Sequence, residues 1–355
     1  MPVIPSVNIE TGTLPTKVPW LLLIGSWVTV ALVFLVFQAA GMAHDFSLVG
    51  TIFWGTILFD LALSVVSRLV EGRRRATDRL VTSLVSTAFI IALLPLVSLL
   101  STVLSNGLSR FDPLFFESSM RNVTGPGGGA LHAIVGTLEI TAMATLISVP
   151  IALLTSIYLV EYGSGHLARA ITFLVDVMTG IPSIVAGLFA YALFALIFGP
   201  GVRMGFAGSV ALAVLMIPVV VRSSEEMLKL VPNELREASY ALGVPKWLTI
   251  LKIVLPTSIA GITTGITLAI ARVIGETAPL LIVAGFTASM NYDLFTERMM
   301  TLPVFVYTQY ANQGPDAEAF LHRAWTGAMV LILMVMMLNL AARLIAKIFS
   351  PKLGR

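Results

Sequence analysis

The sequence predicts an all-α, polytopic transmembrane protein of about eight spans, built as an N-terminal two-helix hairpin followed by a six-helix core. Three observations carry that fold class. Hydrophobic residues fill 57% of the 355 positions and charged residues only 12%, with a mean hydropathy of +0.93, which is more apolar surface than one soluble core hides. Apolar runs close to the ~20 residues that cross a bilayer recur along the whole chain. Basic residues gather in alternate connecting segments, as retention of Lys and Arg on the cytoplasmic side requires.

The apolar runs cover residues 20–40, 48–70, 80–104, 131–160, 170–199, 206–221, 257–285 and 324–348. The composition shifts at "EGRRRATDR", which places a boundary between a hairpin, 1–76, and a core, 77–355. The sixth run is short and the fourth, fifth and seventh are long, so tilts or kinks are expected there. Arg73, Arg74, Arg75 and Arg79 follow the second run; Arg222, Lys229, Arg236, Lys246 and Lys252 follow the sixth; Arg343, Lys347, Lys352 and Arg355 end the chain. With eight spans all three groups fall on one side, so both termini are expected in the cytoplasm. The net charge of +3 follows from this bias and calls for no nucleic-acid partner.

Several chemistries drop out. The chain has no Cys, which excludes disulfides and thiolate metal sites, and His44, His132, His166 and His322 lack metal-ligand spacing and read as interfacial. "GPGGG" at 125–129 has no following Lys-Ser/Thr, so it reads as a flexible external turn and not as a phosphate-binding loop. No catalytic group and no metal site are expected.

The segment "VPNELREASYALGVPKWLTILKIVLP", residues 231–256, is the most informative. Asn233 suits the N-cap of a short helix with Leu235, Ala238 and Leu242 on one face, Gly243 supplies a left-handed stop, and Pro245 opens a second helix. A helix so placed between two spans serves either as an ordinary interfacial helix or as a docking element for a soluble partner.

Glu237, Ala238, Gly243, Ile253, Leu255 and Pro256 fit the pattern E-A-A-x3-G-x9-I-x-L-P, with Ser239 where Ala is usual. This resembles the EAA loop of bacterial ABC importer permeases, in which the loop is a coupling helix seated in a cleft of the ATPase. "VEYGSGHLAR", "FLVDVMTGIPSIVAGLFAYALF", "EEMLKLVPNELREASYALG" and "ARVIGETAPLL" resemble the PstA-type permeases of phosphate importers over about residues 80–348. That resemblance implies a bacterial cell-membrane permease for inorganic phosphate, working with a PstC-type sister permease, a PstB-type ATPase dimer that holds the ATP and Mg, and a phosphate-binding protein. It implies no cofactor in this chain and leaves the first hairpin outside the match.

Arg272 and Glu276 stand one helical turn apart in the seventh apolar run, where an ionised group costs about 2.5–3.5 kcal/mol if it faces lipid. Pro279 leaves the Gly275 carbonyl without its helical donor, so Gly275 and Pro279 predict a hinge beside the pair. The two residues either line a translocation path or pair with each other or a sister subunit to fix packing. An Arg fork suits two oxygens of an oxyanion, and a carboxylate accepts the P–OH proton of phosphate that sulfate lacks. Glu139 and Asp176 also interrupt apolar runs and serve either the path or packing, while Asp60 in the hairpin reads as packing. Arg222 either receives a released anion or anchors the helix end. Ser183, in "TGIPS" with Gly180 and Pro182, either opens a helix N-terminus toward an anion or marks a kink. The alternatives to a phosphate permease are a permease for sulfate or molybdate, an ion-coupled secondary phosphate transporter, and a membrane scaffold.

Overall fold

The computed structural model describes residues 12–40 and 47–349, and His44, Lys352 and Arg355 lie outside them. The described residues form helices α1 (Val18–Ala39), α2 (Leu48–Val70), α3 (Arg73–Gly107), α4 (Pro113–Glu117), α5 (Leu131–Ile157), α6 (Gly165–Thr179), α7 (Ser183–Phe198) and α8 (Gly205–Lys229). The helices α9 (Asn233–Ala241), α10 (Lys246–Thr249), α11 (Leu255–Val273), α12 (Ala278–Val283), α13 (Leu302–Ala311) and α14 (Ala317–Phe349) follow, with no strand among the described residues. Among the described residues, seven helical segments are long and apolar enough to cross a membrane, eight if the bent pair α6–α7 counts as one span. The all-α, polytopic class expected of the sequence is the observed one.

Two compact units divide the chain, Met1–Leu100 and Ser101–Arg355. In the first, α1 and α2 pack as a hairpin: the Trp27 ring lies so close to Gly55 that a Cβ there would stand 2.4 Å from it, and Trp27 Nε1 donates to Thr56 Oγ1 at 3.2 Å. Asp60 accepts from Ser83 Oγ at 2.5 Å, which satisfies one oxygen of a carboxylate placed in an apolar helix. The rest of the hairpin and of α3 exposes Leu, Val, Ile and Phe, a surface suited to lipid.

A polar latch closes the hairpin beyond the span. Glu71 is buried and accepts from Arg79 Nε at 2.6 Å and Nη2 at 2.8 Å, from Ser67 Oγ at 2.7 Å and from the Leu14 amide at 2.8 Å. The Arg79 guanidinium, helped by the Leu14 amide and the Ser67 hydroxyl, holds the Glu71 carboxyl down from 4.5 to about 2. A depressed carboxylate contributes stability above its unfolded-state value and loses it as pH falls toward the folded one. The latch is therefore expected to hold at neutral pH and to loosen between pH 4.5 and about 2. Glu71→Gln is expected to remove the protection of the Leu14 amide at neutral pH in hydrogen exchange, and unchanged protection would contradict the latch.

In the second unit α5 and α8 make the most extensive helix pair, and α11 and α14 complete the core. Helices in a bilayer gain from close packing of small residues more than from apolar burial, and Ala144, Ala152, Ala211 and Ala269 are all fully buried here. Thr137 of α5 accepts from the Leu302 amide at 2.7 Å, which ties the start of α13 to the second turn of α5.

The structure corrects three expected extents. Residues 170–199 are two helices, α6 and α7, bent by 110° at Gly180–Pro182, because a residue before proline is driven out of the helical region. The sixth run extends to Lys229, since Glu225 accepts from Arg222 and Lys229 and makes a polar helix end tolerable. The seventh ends at Val273, and α12 is a separate piece of six residues. His132, read as interfacial, is 1% exposed and set edge-on to Phe305, with ring centroids 5.8 Å apart. The "GPGGG" turn is held by two guanidiniums: Arg110 donates to the carbonyls of Gly127 and Gly128, and the fully buried Arg323 donates to those of Gly125 and Gly127.

Candidate translocation path and coupling loop

The loop between α8 and α11 forms a helix, a glycine elbow and a second helix. Pro232, at φ −58° and ψ 139°, takes the cap position ahead of α9, so Asn233 is the first helical residue and its side chain accepts from Arg236 Nη1 at 3.3 Å without capping the helix. Gly243 adopts φ +74°, a left-handed conformation that costs a side-chain-bearing residue energy, and Pro245 precedes α10. Ser239 is 3% exposed and shares a 2.8 Å hydrogen bond with Thr249, so the hydroxyl that distinguishes it from Ala fastens α9 to α10.

The apolar residues of α9 do not turn into the protein. Leu235 is 42% exposed, Leu242 83% and the neighbouring Trp247 59%, with Ala238 and Glu237 also exposed. The opposite side of the loop is anchored. Arg236 donates to Glu161 through Nε at 3.1 Å and Nη2 at 2.9 Å, and to the carbonyls of Val231 at 2.6 Å and Leu228 at 3.0 Å. The pair is largely buried, with side chains 12% and 5% exposed. Lys246 donates to the Glu161 carbonyl and lies 4.8 Å from the Tyr162 ring centre. Beneath this, Leu228, Val231, Val254 and Ile262 form a buried apolar cluster. Glu161 belongs to a π-helical turn, Tyr158–Tyr162, and a second one, Ile250–Val254, precedes α11. Pro256 has no N–H to return to the Lys252 carbonyl, so the turn before it widens. Ile253 and Leu255 are half-buried and Pro256 is exposed.

Arg272 lies in the last turn of α11 and is exposed, while Glu276 is half-buried in the break between α11 and α12. No ion pair joins them among the described residues. The break covers residues 274–277, with Gly275 in open space and Pro279 in the first turn of α12, where a missing N–H costs nothing. Pro279 packs on α7 at Gly187, where a Cβ would stand 2.7 Å from the Pro279 Cα. The expected hinge is thus a complete interruption of the helix beside an unpaired guanidinium and carboxylate.

The other candidates are distributed differently. Arg222 of α8 meets Asp176 of α6 and also donates to Glu225 at 2.9 Å, and Glu225 accepts from Lys229 at 2.6 Å. The charge of Arg222 is therefore shared between two carboxylates, and Asp176 joins α6 to α8. Glu139 of α5 is half-buried, and its Oε2 is enclosed without a hydrogen-bond partner among the described residues. Ser183 is half-buried at the first residue of α7, just past the 110° bend. Glu161 and Glu225 carry contacts that no motif announces, since Glu161 finds Arg236 across 75 positions of sequence.

A helical membrane bundle with an exposed helix–glycine–helix loop places the chain among polytopic helical membrane proteins, and the comparisons give the class: a transport permease. The family model for the binding-protein-dependent transport system inner membrane component matches residues 148–355. The phosphate transport system permease protein PstA of Mycobacterium leprae is 47% identical over 282 residues, 78% of this chain and 91% of its own length. PstA of Yersinia pestis is 38% identical over 81% of this chain and 95% of its own. The chain belongs to the binding-protein-dependent transport system inner membrane components, among the PstA permeases. Its fold is similar to that of a chain of the MetNI methionine ABC transporter in an inward-facing conformation, with TM-score 0.51 and 21% identity over 62% of this chain and 96% of that one. It is also similar to a chain of a bacterial alginate ABC transporter, with TM-score 0.52 and 15% identity over 79% and 99%.

Proposed function

We propose that this chain is a transmembrane permease subunit of an ATP-driven importer of inorganic phosphate, resident in a bacterial cell membrane with both termini cytoplasmic. The observation that carries the coupling half of this reading is the loop, residues 231–256, which presents Leu235, Leu242 and Trp247 to a partner while Arg236, Ser239 and Lys246 fasten it to the bundle. A PstB-type ATPase dimer, which holds ATP and Mg, docks on that face. A PstC-type permease and a phosphate-binding protein complete the complex. This chain makes and breaks no covalent bond; its reaction is vectorial.

The substrate half rests on Arg272 and Glu276 and on the names of the relatives. Arg272 attracts the anion, and Glu276 accepts the proton that phosphate retains near neutral pH. Sulfate brings no such proton and meets only repulsion. Glu276→Gln is expected to let sulfate compete with phosphate in uptake by the reconstituted complex, and unchanged selectivity would contradict the role of Glu276. Glu139 lines the same path, and the Arg222–Asp176 pair sets its inner end.

A further inference from the structure

At the end of α8 opposite the coupling loop, the segments 199–204 and 284–301 enclose a cleft of about 350 Å³ lined by Gly201, Arg203, Thr287, Glu297 and Arg298. Backbone bonds hold the walls: the Met204 amide donates to Val283 O at 3.1 Å and that of Phe206 to Leu294 O at 2.7 Å, across the two stretches of chain, while that of Met299 donates to Ala284 O at 3.1 Å within the second. Asn291 Nδ2 donates to the carbonyls of Thr296 at 2.9 Å and Arg298 at 3.2 Å. Both arginine stems cross one backbone point. A Cβ on Gly285 would lie 3.0 Å from Arg203 Cδ and 3.3 Å from Arg298 Cδ, and Gly285 itself sits at φ +77°. Both arginine side chains thereby leave from one point of the cleft wall and line the same cleft, and neither makes an ion pair among the described residues, Glu297 included. Two like charges in one small cleft favour an anion between or beside them.

We propose that this cleft is a second oxyanion site, which holds a phosphate-type group on Arg203 and Arg298 at the outer face of the membrane. The chemistry repeats that of Arg272 and Glu276: arginine forks for two oxygens, with the Glu297 carboxylate beside them to accept a P–OH proton. Position adds the role. The cleft faces the side from which the binding protein delivers its cargo, so its occupant waits ahead of the interrupted span. The identity of the anion as substrate rests on the proposed function; the site itself rests on the two arginines.

The absence of cysteine makes a direct test simple. Thr287→Cys places one thiol of this chain in the cleft, and its modification is followed on this chain in the assembled complex, held in nanodiscs of uncharged lipid. A negatively charged thiol reagent is expected to react about tenfold faster than a neutral one of the same size, because the arginines concentrate anions. Inorganic phosphate, against chloride of equal ionic strength, is expected to abolish that excess. Arg203→Gln with Arg298→Gln removes both effects, and Arg203→Lys with Arg298→Lys retains the charge preference. The neutral reagent reports whether the cleft is intact in each variant. Nanodiscs with phosphatidylglycerol separate the two sources of a phosphate group: protection by the lipid, with free phosphate inert, assigns the site to a headgroup. Equal rates for both reagents with no protection by phosphate or lipid would overturn the site. Loss of phosphate uptake by the unmodified complex would instead overturn the proposed function and leave the labelling result standing.

Discussion

Glu161→Gln is expected to separate ATP hydrolysis from transport in the complete complex. The substitution keeps the shape of the side chain and removes the only carboxylate that meets the Arg236 guanidinium among the described residues. Breaking a buried ion pair by removing one partner costs about 3–5 kcal/mol, because the remaining charge is left uncompensated. That cost falls on the contact between α9 and the π-helical turn that follows α5, which on the proposed function carries a push on α9 into the bundle. On the proposed function, ATPase docking uses the exposed residues Leu235, Leu242 and Trp247, which the substitution leaves in place. The complex should therefore assemble and hydrolyse ATP while moving far less phosphate per ATP. Glu161→Leu with Arg236→Met, which replaces the ion pair by apolar packing, should recover thermal stability without recovering coupling. A normal ratio of phosphate to ATP in Glu161→Gln would show that the push travels by another route.

Arg272→Ala is expected to produce the second large effect. A hydrogen bond to a charged group contributes about 1.5–3 kcal/mol, so losing the arginine fork should lower uptake on the order of tenfold to a hundredfold. Arg272→Lys keeps a point charge but not the fork and should fall between. Assembly should be unaffected by either variant, since Arg272 is exposed in this chain and makes no ion pair among its described residues. Collapse of the complex in both variants would place Arg272 in packing against the sister subunit. Unchanged uptake would remove it from the path.

The sequence carried the parts of this architecture that are local. The second span was read at 48–70 and α2 is Leu48–Val70, because an apolar helix declares its own length by composition. The elbow at Gly243 and the bend at "TGIPS" were visible because glycine and proline change the backbone where they stand. The break beside Arg272 was foreseen as a kink, but its completeness depends on Pro279 seating against Gly187 of another helix. Contacts between distant positions had no such sign. Arg222 and Asp176 lie 46 positions apart, Arg236 and Glu161 75 apart, and no periodicity links them. Of the two π-helical turns, Ile250–Val254 has a local sign in Pro256, whereas Tyr158–Tyr162 has none. Ser239 is instructive: the sequence shows only a departure from the usual Ala, and the fold gives its hydroxyl a partner in Thr249.

On the proposed function, this chain moves phosphate only as part of an ATP-driven complex. The most direct measurement is phosphate uptake into proteoliposomes that contain this permease with its sister permease, ATPase and binding protein, with and without ATP. Uptake is expected to require both ATP and the loaded binding protein. Phosphate transport by this chain alone, driven by a proton or sodium gradient without ATP, would contradict it.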